Sequence, residues 1–83
     1  MDQCKLFKWA DEIDHYTIKL PENEVTDRAT AIKMIYHYSF ADKAVENKFS
    51  FAVGELENTS SHRLFEILRE IREVFIKEAF DMN

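Results

Sequence analysis

One glycine, one proline and one cysteine among 83 residues leave little material for tight hairpins, cross-links or thiolate metal sites. A single glycine, Gly54, cannot build a GxGxxG loop or a P-loop, which excludes phosphate cradles of that kind. The scarcity of glycine and proline also argues against an all-β domain, because repeated hairpins need such residues at defined turn positions. Cys4 has no second thiol to pair with, so an internal disulfide and a cysteine zinc cluster are both ruled out. A reducing compartment fits that usage. No apolar run is long enough to suggest a membrane-spanning helix, and the opening MDQCKLFKWADEID lacks the apolar stretch of a signal peptide. The expected location is the cytosol of a cell, or of an infected host cell for a viral protein. Asn58-Thr59-Ser60 matches a glycosylation sequon that would then stay idle.

Positive charge is also in short supply. Eleven Lys and Arg stand against sixteen Asp and Glu, a formal charge of −5 with a pI of about 5.1. Net charge therefore gives direct nucleic-acid binding no support, and Arg63, Arg69, Arg72 and Lys77 are interleaved with acids rather than clustered. Arg69 and Arg72 lie on neighbouring turns of one expected helix, where solvated ion pairing is the simpler reading.

What the chain does have is apolar and aromatic bulk. Hydrophobic residues make up 46%, with seven Phe, three Tyr and one Trp, in what reads as one small domain over 1–83 without a linker. A chain this short buries only about 60–65% of its unfolded surface. That surplus of apolar side chains points to a partner, and homodimerisation is the simplest way to cover it.

The strongest local signal is SHRLFEILREIREVFIKEAF, which predicts a helix over 61–80. Leu64, Leu68, Ile71 and Phe75 form one stripe at helical spacing, and Ile67, Val74 and Ala79 widen it. Phe65, Ile76 and Phe80 fall toward its edges. Asn58, Thr59, Ser60 and Ser61 offer caps upstream. Arg69–Glu73, Glu73–Lys77 and Glu66–Arg69 are spaced for helical ion pairs, worth only about 0.2–0.5 kcal/mol each. Burial of the stripe, at roughly 1.5–3 kcal/mol per large side chain, must supply the main support.

Elsewhere the periods are shorter. Leu6, Trp9/Ala10 and Ile13 fit a short amphipathic helix, with a first strand in CKLFKW as the alternative. Tyr16, Ile18 and Leu20 alternate with polar residues in HYTIKL, which predicts a half-buried strand ended by Pro21. Phe49, Phe51 and Val53 alternate likewise in KFSFAVG, predicting a second strand that Gly54 ends or bulges. Across 26–40 both periods fit. Ala29, Ile32, Tyr36 and Phe40 mark one face of a helix beginning near Thr26 or Asp27, while Ile32, Met34, Tyr36, Tyr38 and Phe40 also alternate as in a strand. The helix is preferred, since it accommodates Ile35. Ser39-Phe40-Ala41-Asp42 resembles a capping box and allows a short helix through Glu46. The expected fold is α+β: a two- or three-stranded antiparallel sheet covered by the C-terminal helix, with one or two further helices.

No grouping points to catalysis, a metal or a cofactor. Asp11, Glu12, Asp14 and His15 form the densest titratable cluster, and Asp11 and His15 sit one helical turn apart, but an acidic solvated segment is the commoner meaning. Ser60, Ser61 and His62 read as capping, because no third orienting group or oxyanion glycine accompanies them. His37 sits between two tyrosines.

The expected function is therefore non-enzymatic: a small acidic regulator or inhibitor that binds another protein. Its face would be Phe65, Leu68, Ile71, Arg72, Phe75 and Ile76 of the C-terminal helix together with Trp9. Asp11, Glu12 and Asp14 would steer a basic partner, of which a nucleic-acid-binding protein is one kind. The alternative is an acidic nucleic-acid mimic, of the viral anti-defence or host-takeover type, that blocks a nucleic-acid-binding protein.

Overall fold

The computed structural model describes residues 3–20 and 23–81, and every regular element among them is helical. Helix α1 spans Gln3–Thr17, α2 Arg28–Ala41, α3 Lys43–Lys48 and α4 Ser61–Asp81, with a 3-10 turn at Leu56–Asn58. The α+β expectation is thus overturned: the described residues contain no strand and no sheet.

Both expected strands fail for physical reasons. In the HYTIKL segment the helical period continues from Leu6, Trp9, Ala10 and Ile13 to Thr17, all of which are buried. Thr17, the last residue of α1, donates its hydroxyl to the Ile13 carbonyl at 2.8 Å, the i−4 bond that a helical backbone brings within reach. Tyr16 and Leu20 are four apart, a spacing that serves a strand and a helix equally, and Ile18 between them is 82% exposed. Pro21 lies outside the described residues. With that segment helical, KFSFAVG has no strand to pair with. Phe49 still has extended backbone (φ −122°, ψ 124°), and its ring stacks on Phe51 at 5.9 Å, so the local conformation is strand-like without a ladder. Gly54 sits in a turn at φ +80°, a region other residues avoid, rather than at a strand end.

Helix α4 is the central element; α1 packs along it, and α2 and α3 rest on it as well. The core gathers Leu6, Trp9 and Ile13 from α1 and Ala31, Ile35 and Tyr38 from α2. Ala10, Val25, Val45, Leu56 and the α4 stripe Leu64–Ile67–Leu68–Ile71–Phe75–Ala79 complete it. Trp9, Tyr38 and Phe75 meet where three helices converge, with ring centroids 5.2–6.0 Å apart. The whole measures 37 × 28 × 14 Å, a slab only one helix pair thick.

Side chains mark the element starts. Asp27 caps α2, accepting the Thr30 amide at 3.2 Å, and Ser60 caps α4, accepting that of Arg63 at 3.1 Å. The short helix after α2 is capped by Asp42, which accepts the Ala44 and Val45 amides, and not by Ser39 as the capping-box reading had it. Arg28 ties the 3-10 turn down: its guanidinium donates to the Leu56 and Glu57 carbonyls and to the Ser61 hydroxyl.

Candidate functional site

The face expected on α4 is largely spent inside the molecule. Leu68, Ile71 and Phe75 are completely buried and Trp9 is 7% exposed, so a partner meeting the folded chain cannot touch the first three. Phe65, Arg72 and Ile76 are half-buried at the edges of the helix. Phe65 lines shallow depressions with Asn23 and Arg69, close to exposed Ile18. Asp11 and Glu12 are exposed, Asp11 beside His15 at 3.4 Å and Glu12 accepting the Tyr38 hydroxyl at 3.0 Å. Burial, followed by the Glu12 carboxylate, pushes the Tyr38 phenol well above its ordinary range.

Asp14 is engaged within the chain too. Arg69 donates to it at 2.7 Å and Arg72 at 3.0 and 3.2 Å, which bolts α1 to α4. Burial raises the Asp14 carboxyl, but the two guanidinium hydrogen bonds and charges outweigh that and hold it below its usual value. The expected Arg69–Glu73 pair is replaced by Arg69–Asp14 and Arg72–Glu73. Arg63 reaches Glu70 at 2.7 Å, a pairing over two turns. The acids of α4 are therefore interleaved with cations rather than presented as a negative strip.

Large apolar side chains stay exposed at Phe7, Ile18, Val53 and Phe80 as well as at Phe40, but the outer side of α2 is where an exposed one continues a stripe of half-buried ones. The buried side of α2 is Ala31, Ile35, Tyr38 and Ser39. The stripe Ala29–Ile32–Tyr36–Phe40, expected as the inward face, is rotated outward by about a third of a turn. Ile32 and Tyr36 are half-buried, and Phe40 is 84% exposed. Helix α2 thus has apolar residues on both sides, the pattern of a helix meant to be covered all round.

Neighbouring segments turn that stripe into a groove. Tyr36 stacks on Phe40 at 6.5 Å, and together with the parallel Phe49–Phe51 pair they line a hollow of about 270 Å³ to which Glu46 and Asn47 also contribute. On the other side of Tyr36 a second hollow, about 470 Å³, is lined by Arg28, Ala29, Ile32, Lys33 and Glu57. Tyr36 is common to both. The same Arg28 that anchors the 3-10 turn therefore sets one wall of the groove.

Among the described residues no group of three or more His, Cys, Asp or Glu side chains could hold a metal ion. His15 pairs with Asp11, His62 with Glu66, and His37 packs edge-on against Trp9. No helix of the described residues is long and apolar enough to cross a membrane. The aromatic groove escapes sequence reasoning because Tyr36 and Phe40 fit a helix and a strand alike, while Phe49 and Phe51 read as one face of a separate strand. The signal was present all the same, in a helix with more apolar positions than one face can use. No known protein family matches this chain, and neither does any curated protein or solved structure.

Proposed function

We propose that the chain is a non-enzymatic binding module that receives the apolar face of a helix from another protein along the outer side of α2. The observation that carries this reading is the uncovered stripe Ile32–Tyr36–Phe40, opening onto Phe49 and Phe51. From Ala29 to Phe40 the stripe is about 16 Å long, which matches three turns of a docked helix with anchors at i, i+4 and i+8. Aromatic side chains suit such anchors, since they bury large area at low rotamer cost. Rim charges set direction: Arg28 and Lys33 flank one hollow and Glu46 the other, which favours a partner helix acidic near Lys33.

A partner of different sequence fits better than a second copy, because the α4 residues that motivated homodimerisation are already covered within one chain. The nucleic-acid-mimic reading has less behind it, since Arg63, Arg69 and Arg72 neutralise neighbouring acids.

Matched affinity capture tests the reading, with the wild type and Phe40→Glu as baits in extract of the native cell. A protein held by the wild type and lost from the variant is the expected result. Calorimetry with that purified protein should then show at least about tenfold weaker binding for Tyr36→Ala, and no change for Asp11→Asn. If no protein distinguishes the two baits, the groove is not a binding site.

A further inference from the structure

Among the described residues, three buried side-chain oxygens lack a hydrogen-bond partner: Ser39 Oγ, Asp42 Oδ2 and Glu78 Oε2. Two of them belong to neighbouring carboxyl groups, Asp42 and Glu78, which can hydrogen-bond to each other only when one of them carries a proton. Asp42, at the joint between α2 and α3, is 1% exposed, and its Oδ1 is occupied by the amides of Ala44 and Val45. Glu78 projects from the last turns of α4, next to Ala79, whose carbonyl accepts the Gln3 amide of α1 at 2.7 Å. If both carboxyls were ionised, two acceptors would face each other with no donor for either, and each unmet oxygen is costly. A single proton turns one of them into a donor and satisfies both.

We propose that Asp42 and Glu78 share one proton in the folded protein, a carboxylic acid–carboxylate hydrogen bond that fastens α4 to the α2–α3 joint and is lost as pH rises past neutrality. Burial first, then the hydrogen bond and charge of Asp42, raise Glu78 to about 7. The sign follows from linkage: a raised folded value means the folded state holds the proton more tightly. The stabilisation is complete below the unfolded value, near 4.5, and disappears as pH climbs through about 7. The effect reaches the aromatic groove, because Asp42 caps α3 and α3 leads directly into Phe49.

Urea unfolding of the full chain from about pH 5 to about pH 8.5 tests this, comparing the wild type with Glu78→Gln, whose amide imitates the protonated acid at every pH. The wild-type midpoint should fall across neutrality while the variant's falls less, and the histidines common to both cancel in the difference. Carbon-13 NMR of the wild type gives an independent reading. The Glu78 carboxyl should titrate near 7, and a midpoint near the ordinary 4.5 overturns the proposal whether or not the variant folds. Parallel unfolding profiles for the two proteins overturn it as well.

Discussion

At the scale of single residues, Phe40 and Phe75 are the same side chain in opposite circumstances. Phe40 is 84% exposed and Phe75 fully enclosed. Phe75→Ala should cost about 3–5 kcal/mol, because the cavity opens among Trp9, Tyr38 and the α4 stripe. Phe40→Ala should change stability by no more than about 0.5 kcal/mol, so any loss of binding it causes reports on the groove. Urea unfolding of both variants checks the pair. Asp14 offers a different kind of check. With its carboxyl held low, the stability it lends is present above the unfolded value of 3.8 and is lost as pH falls through the folded one. Asp14 and Arg69 side chains are 39% and 40% exposed, which screens their attraction. Asp14→Asn should therefore cost less than about 1 kcal/mol, and the difference should shrink in high salt. Residue type was a good guide to Leu64, Leu68, Ile71 and Phe75, which the sequence assigns to one stripe and the fold buries together. It was no guide to Asp14, whose partners lie more than fifty positions along the chain.

Elements were legible in proportion to their length. The run over 61–80 offers five turns of consistent period, and it is helical from Ser61 to Asp81. HYTIKL offers only three alternating residues, and Tyr16 and Leu20 satisfy either period, so neighbouring Ile13 and Thr17 decide the matter by being buried in α1, which packs along α4. In α2 the preferred helix is present, but it is turned by about a third of a turn from the orientation expected. Nothing local separates Ala29–Ile32–Tyr36–Phe40 from Ala31–Ile35–Tyr38 as the inward side, because the choice depends on what α1 and α4 present to it. The candidate groove inherits that ambiguity, which is why its residues were visible and its role was not. The loop that walls the groove rests on Arg28. Arg28→Ala removes donors from two carbonyls and a hydroxyl, and should cost about 1–3 kcal/mol. Amide hydrogen exchange should quicken across 53–60 well before it does in α4.

For the molecule as a whole, the accessible surface is 5260 Å². A self-contained monomer of this mass shows about 5200 Å². One copy thus encloses its core as well as an ordinary small protein does, despite the thin 14 Å dimension. The thermal midpoint should consequently stay constant when protein concentration is raised about a hundredfold; a rise would mean that a second copy occupies the groove.

The two-sided character of α2 has a consequence for how the chain reaches this arrangement. A newly made polypeptide has two oily flanks of one helix to lay against its neighbour, and mere greasiness ranks them nearly equal. What separates right from wrong docking is polar: the Tyr38 hydroxyl finding Glu12, and Arg28 finding the turn beyond Phe51. Removing the first by Tyr38→Phe should let the mistaken orientation compete, and stopped-flow refolding would register it as a slower second phase. The same side of α2 that invites an outside guest is thus the one the chain must decline to use for itself.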